Sequence, residues 1–465
     1  METSREELAK IIDLAKNVRY TEARFHKRTS SEIRIAGGEL EEARTSTITG
    51  IGVRVLVDGA WGFSSTNNLS KKSVLKALSN AVAIAKVSAK GRKEKIHRLG
   101  EAKFSVGRFS VKINDPLSNH SLEEKVTLVK ETEKLARSFA KIKSAICSFR
   151  EMTDEKIIVN SDGASCEIMD VKPEFRISAI ASSSGEIIGA SESMGVTGGW
   201  KDLFSRSSPE EMAKKACDTA LKLLTAKKPK GERSTVVLDP GMVGLISHEA
   251  IGHTVEADFV LSGSIVAGKI GQKVASNLVT LVDSGPSLIV EGAAGTTLVD
   301  DEGVLAQTTV LIEEGVLKSY LHNRETAAIY DVQSTGNARA FEYTDEPIIR
   351  MRNTYIEPGD YDDDEIIKEV NHGYLLKGAR NGQADANGEF MFGAQEAYRI
   401  EDGEIKEILR GVTISGNAFD VLKSVDAIGK DFRFDLGAGY CGKWQPAKVD
   451  GGGAYLRCMV IVGGE

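Results

Sequence analysis

The sequence predicts an α+β protein in two parts. An N-terminal α/β domain covers residues 1–225, and a largely antiparallel β domain, barrel-like or sandwich-like, covers residues 235–465 and carries one buried helix. Three observations predict it. Amphipathic helical stretches alternate with strand-like runs up to about residue 224. The polar stretch 226–234, holding a proline and a glycine, then reads as a linker. Beyond Gly271, short β-rich pieces alternate with glycine turns, the pattern of an antiparallel sheet rather than of strand–helix–strand units.

Within residues 5 to 26, apolar Leu8, Ile11, Ile12, Leu14 and Ala15 have amphipathic-helix spacing. Ser31–Ile35 and Thr47–Val57 are strand-like, and Asp58-Gly59 is a hairpin turn into a strand over Ala60–Ser64. A helix follows over about 71–88, and the basic run 90–98 is a solvated connector. Ser121-Leu-Glu-Glu124 is a capping box for a helix to about Phe139. Strands are expected at 144–150, 156–160, 164–171 and 174–182. Ser208-Pro-Glu-Glu211 then opens a helix to about Leu224. In the second half, the strand Thr235–Leu238 and the turn Asp239-Pro-Gly241 lead through an apolar segment into a buried helix. Further strands are expected at Leu278–Val282, Thr308–Ile312, Val316–Leu321, Glu396–Ile400 and Ala454–Val462. The glycine-rich stretches at 195–199 and 451–453 lack the Lys-Ser/Thr of a phosphate-binding loop and read as turns.

Composition narrows the function. The chain of 465 residues is 41% hydrophobic and 27% charged, ordinary for a globular protein of two or three domains. Its formal charge of −7, with acidic and basic residues interspersed, excludes the basic stripe of a nucleic-acid binder. No apolar run approaches a membrane-spanning length. The charged N-terminus carries no secretory signal, and five scattered cysteines form no C-x-x-C pair. A cytoplasmic, reduced protein is expected, with Cys147, Cys166, Cys217 and Cys458 in the core.

The chemistry concentrates at residues 247 to 258. His248 and His253 are two of only seven histidines, and Glu249 follows the first. Two neutral imidazoles and an adjacent carboxylate are the inventory of a hydrolytic zinc site. The spacing is H-E-x-x-x-H, one residue longer than the common zincin motif. On a regular α-helix, positions five apart diverge by about 140°. Either the helix is locally widened by a π-bulge, with Gly252 easing the distortion, or it ends near Gly252 and His253 returns from a loop.

The surrounding segments resemble the TldD/PmbA family of metalloproteases. The resemblance rests on Val236-Val-Leu-Asp-Pro-Gly241, His248-Glu-Ala-Ile-Gly-His253 and Glu256-Ala-Asp-Phe259. It extends in the same order to Gly50-Ile-Gly-Val-Arg54, Asp300-Asp-Glu-Gly303, Leu321-His-Asn-Arg-Glu-Thr326, Ser334-Thr-Gly-Asn337, Met351-Arg-Asn-Thr-Tyr355 and Cys441-Gly-Lys443. The histidine motif resembles the TldD branch rather than the metal-free PmbA branch. The resemblance implies zinc (Zn2+) held by His248, His253 and Cys441, with Glu249 as general base. Bacterial TldD chains typically read C-G-K-x-G-Q where this chain reads Cys441-Gly-Lys-Trp-Gln445, one residue shorter, so the local loop differs.

Glu256 and Asp258 are candidates for orienting the histidines, with surface or capping roles as the alternative. His322, Asn337 and Asn353 are candidates for substrate binding, against structural or turn roles. The resemblance further implies hydrolysis of unfolded or unstructured peptides by a homodimer, or by a heterodimer with a metal-free PmbA-type subunit. The alternatives are a non-catalytic assembly or binding subunit and a zinc amidase acting on a small molecule. No nucleic acid or membrane partner is expected.

Overall fold

The computed structural model describes residues 4–464. Residues 20–195 form one seven-stranded sheet. Its strands run in the order Ala60–Thr66, Glu39–Val57, Tyr20–Ala36, Ile142–Asn160 and Ser165–Ser183. Both Val106–Ser110 and Glu186–Gly195 pair with the last of these. Asp58 and Gly59 both take positive φ, as a tight right-twisting hairpin requires. The four strands expected between 144 and 182 are two long ones. Pro173 sits mid-strand where the neighbouring edge passes from Val106–Ser110 to Glu186–Gly195, so its missing N–H breaks no ladder.

Alternation along these strands explains the domain. Ala23, Phe25, Ile33 and Ile35 share a face with Ile51, Val53, Val55, Cys147, Phe149 and Val159. That apolar face is covered by the helices Arg5–Ile12, Lys71–Gly91, Leu122–Arg137 and Pro209–Leu223. Ser121 and Ser208 cap two of these helices through complete capping boxes. The opposite face presents Glu22, Arg24, His26, Arg28, Arg54 and Asp154, all buried, toward the C-terminal half. Arg54 bonds Glu302 (2.7 Å), Lys156 bonds Asp301 (2.8 Å) and Arg324 bonds Asp162 (2.6 Å) across this junction.

This face corrects two expectations. The first helix is only Arg5–Ile12, and residues 20–26 are strand, because their alternate charges are spent in buried ion pairs rather than on solvent. Leu14, expected on the apolar helix face, is 51% exposed.

The C-terminal half holds two large sheets and two short two-stranded ones among the described residues. Five strands close into a barrel in the order His372–Ala384, Glu232–Leu238, Leu456–Gly464, Val412–Asn417 and Glu389–Glu401, the last pairing back to the first. Its first strand begins at Glu232, inside the stretch read as linker. A six-stranded sheet is built around Leu281–Ser284, Asn353–Ile356 and Asp450–Gly453. The 451–453 glycines are therefore strand rather than turn. A Cβ on Gly244 would lie 2.6 Å from the backbone carbon of Gly451, so bare glycines let a helix pass directly over that strand. Gly195 likewise ends a strand, where its missing Cβ admits the Gly437 carbonyl.

Candidate metal centre

The helix crossing Gly451 carries the candidate site. Asp239, at the end of a barrel strand, caps it by accepting from Met242 N (2.9 Å), and Pro240 fills its first position. All residues of Pro240–Leu245 are buried. The helix then widens into a π-helix over Ile246–Gly252 and tightens to a 3₁₀ turn at His253–Val255. Two local features accompany the widening. Ser247 Oγ donates to Val243 O (2.8 Å), taking the carbonyl of the preceding turn. Met351 Sδ occupies the place where a Gly252 Cβ would stand, 2.0 Å from it. The helix is thus bulged, not broken. Gly252 has ordinary helical dihedrals, so its role is to admit Met351 rather than to supply unusual backbone freedom.

One extra residue in the turn brings the histidines to one side. Their rings lie 5.4 Å apart, nearly perpendicular. Cys441 arrives from the opposite end of the chain, and its Sγ stands 3.0 Å from His253 Nε2. Ligand atoms of His248, Glu249, His253 and Cys441 all lie within 4.8 Å of one another. Cys441 sits on the strand Tyr440–Lys443 of a tight hairpin with Gln445–Lys448. Trp444 makes the turn in a left-handed conformation with its side chain exposed, which is how the shortened Cys-Gly-Lys-Trp-Gln segment closes.

The residues behind this group define its electrostatics. His253 Nδ1 lies 2.9 Å from Glu256 Oε2. A carboxylate can only accept, so Nδ1 carries a proton, and Nε2 is the nitrogen that faces Cys441. Glu256 is fully buried and also accepts from Lys443 Nζ (3.2 Å), which bonds both oxygens of Asp258 at 2.8 and 2.7 Å. Alternation along the hairpin strand puts Lys443 on the Cys441 face. Of the two readings for Glu256 and Asp258, the geometry favours the orienting one. Sequence reasoning gave Lys443 no role, although its position two residues after Cys441 already placed it on the same face.

Burial raises a thiol, but the imidazoles of His248 and His253 beside Cys441 outweigh it and bring its pKa down to about 5. Burial likewise disfavours a charged His253, yet Glu256 and Cys441 raise it to about 10. For His248 the same competition ends with a raised pKa, through Cys441 and Glu249. His248 is 2% exposed, and neither ring nitrogen has a hydrogen-bond partner among the described residues. An orphaned buried imidazole is costly unless something else satisfies it. A soft thiolate beside two imidazole nitrogens is a donor set that suits zinc.

The other candidates lie outside this group. His322 is buried between Tyr320 and Tyr330, with Nδ1 3.1 Å from Thr326 Oγ1, and burial pushes its pKa down to about 4. Of the two readings for Asn337 and Asn353, the geometry favours the structural one. Both are fully buried, with amide donors spent on Asp283 and the Arg350 carbonyl, and on the Ser284 and Gly285 carbonyls. Their amide N–H groups fasten loops from inside the fold. Cys147, Cys166, Cys217 and Cys458 are buried and free, as expected of core residues.

Three models of the PmbA/TldA metallopeptidase architecture match the chain: domain 1 at residues 21–85, the central domain at 115–224 and the C-terminal domain at 231–459. A metalloprotease of Methanothermobacter thermautotrophicus is 36% identical over 98% of this chain and 97% of its own length. A zinc metalloprotease TldD homolog of Saccharolobus solfataricus is 30% identical over 89% and 90%. A Thermotoga maritima crystal structure, described as a modulator of a DNA gyrase, shares the fold with a TM-score of 0.80 at 23% identity, covering 98% of this chain and 99% of that one. With relatives matching from end to end, the chain belongs to the TldD/PmbA family of metalloproteases and is a metal-dependent peptidase of that type.

Proposed function

We propose that the protein holds zinc through His248, His253 and Cys441 and hydrolyses peptide bonds with Glu249 as general base. The observation that carries this reading is the orphaned pair of His248 nitrogens beside the Cys441 sulfur and His253 Nε2, with Glu249 within 4.8 Å of all three. A zinc ion there would supply Lewis acidity, polarising a peptide carbonyl and acidifying water. Glu249 is the solvent-facing member, its side chain 32% exposed and its Oε2 3.7 Å from His253 Nε2. It takes the proton from the attacking water and returns it to the leaving amine. Glu256 keeps the Nδ1 proton on His253, which leaves Nε2 free to bind metal. Lys443 balances the buried charge of Glu256 and Asp258.

The substrates on this reading are unfolded or unstructured peptides, and the working form is a dimer, either of this chain or with a metal-free PmbA-type subunit, in the cytoplasm. Among the described residues no helix is long and apolar enough to cross a membrane.

Two variants test the site. Elemental analysis of the purified wild type should find about one zinc per chain, and Cys441→Ala markedly less. Glu249→Gln should retain the metal and lose casein cleavage by about 10²–10⁴-fold. An unchanged rate in that variant would remove Glu249 from the mechanism. Zinc retained in Cys441→Ala would send the third-ligand search to Glu256 and Asp258. Native mass spectrometry of the chain alone, and with a PmbA-type subunit, separates the two dimers.

A further inference from the structure

Arg350 stands beside the candidate metal centre with an unusual set of partners. It is 1% exposed, one of the largest fully buried side chains. Its Nη2 donates to the Cys441 carbonyl (2.7 Å) and its Nη1 to the Gln445 carbonyl (2.6 Å). The guanidinium therefore spans both strands of the hairpin that presents the sulfur. It makes no ion pair within 4.0 Å of any carboxylate among the described residues, and its Nε has no partner. Burying a cation with only carbonyls as hydrogen-bond partners is expensive, and packing alone would be served better by an apolar side chain of that volume. The charge of Arg350 helps keep buried Glu256 ionised, alongside the larger effects of His253 and Lys443.

We propose that Arg350 is a positioning residue for the metal centre. Its planar fork locks the Tyr440–Lys443 and Gln445–Lys448 strands at Cys441 and so fixes where the thiolate stands relative to His248 and His253. The hairpin needs such a lock. Its turn is the single left-handed residue Trp444, whose side chain is 88% exposed and contributes little packing. Its two strands pair only with each other. Among the described residues, three further side chains anchor the hairpin beyond this fork. Lys443 holds the face toward Glu256 and Asp258, Gln445 holds the end toward Phe341 and Glu346, and Lys448 pairs with Glu174 while its carbonyl accepts from Arg339. None of these contacts is made to the Cys441 peptide. An arginine, rather than a lysine, suits the task because a rigid fork can hold two carbonyls at a fixed separation.

This inference rests on Cys441 being a metal ligand, and the experiment separates the two ideas. The full-length protein is stripped with chelator and titrated with Co2+, following the thiolate-to-cobalt charge-transfer band. Wild type, Cys441→Ala, Arg350→Ala and Arg350→Lys are compared, each checked for folding by near-ultraviolet circular dichroism. If wild type shows no such band, or Cys441→Ala keeps it, the ligand assignment fails whatever Arg350 does. If wild type shows the band and Cys441→Ala lacks it, Arg350 is judged by its own variants. The expected result is a folded Arg350→Ala with a weakened or shifted band and about 10–100-fold weaker Co2+ binding, and Arg350→Lys in between. A folded Arg350→Ala with the wild-type band and affinity overturns the proposal. If Arg350→Ala does not fold, Arg350→Lys decides. If neither folds, Arg350 serves the fold as a whole, and the positioning role is likewise overturned.

Discussion

Glu256 is a fully buried carboxylate whose ionisation depends on its neighbours. Burial opposes its charge, and His253 and Lys443 more than compensate, so its pKa is lowered. Glu256→Gln keeps an oxygen for His253 Nδ1–H but removes that charge. Metal affinity, measured by competition with a chromophoric chelator, should fall about 10–100-fold with the fold intact. Cys441 gives a second expectation at this scale. In the metal-free protein its thiolate should persist to acid pH and protonate near 5, read as thiolate ultraviolet absorbance missing from Cys441→Ala. Because the folded pKa is depressed below an ordinary thiol value of about 8.5, this group's contribution to stability is complete above that value and is lost as pH falls through 5. The other four thiols are pushed up by burial and stay silent over that range. The sequence alone showed the donor set but could not choose between orienting and capping roles for Glu256 and Asp258. That choice depends on Lys443, which lies 187 residues from Glu256 and meets it only in the fold.

The H-E-x-x-x-H spacing was legible as a dilemma between a bulged and a broken helix, and the structure chooses the bulge. What could not be read from the chain is the packing that accompanies it. Ser247 bonds back to Val243, and Met351, about a hundred residues downstream, fills the space beside Gly252. Gly252→Ala would set a Cβ 2.0 Å from Met351 Sδ and 3.1 Å from the Ser247 carbonyl. The sulfur end of a fully buried methionine can shift, but only by repacking, so the variant should lose about 1–3 kcal/mol in urea unfolding. Adding Met351→Ala should recover part of the loss, giving a non-additive double-mutant cycle. Strictly additive losses would mean that the Gly252–Met351 contact does not set the bulge. Capping boxes at Ser121 and Ser208 and the Asp58-Gly59 hairpin were all legible, because their chemistry is local. The Gly451–Gly453 strand was not, since its glycines answer to a helix two hundred residues earlier.

The two halves of the molecule meet through a charged sheet face, and this is where sequence patterning misled most. Alternating charged residues at 22 to 28 ordinarily mark a solvent face, whereas here Glu22, Arg24, His26 and Arg28 are at most 6% exposed. Burial of that kind is tolerable only when every charge finds a partner, and removing one partner should be severe. Arg54 is the clearest case, since it bonds Glu22 at 3.0 Å and Glu302 of the C-terminal half at 2.7 Å, all three side chains being at most 4% exposed. Arg54→Met leaves two buried carboxylates facing each other and should cost about 3–5 kcal/mol. Arg98→Ala, which breaks an exposed pair with Asp331, should cost no more than about 1 kcal/mol. The deficit has a predictable pH dependence. Burial already raises the pKa of Glu22 against the pull of Arg54, and losing the arginine raises it further. A carboxyl whose folded pKa exceeds its unfolded value of about 4.3 is least destabilising when protonated. The Arg54→Met deficit should therefore be small near pH 4 and grow as pH rises through the raised pKa, as measured by urea midpoints across that range. A deficit independent of pH would mean that Arg54 acts at the junction by packing against Trp61, whose ring lies 4.3 Å away, and not as a counter-charge.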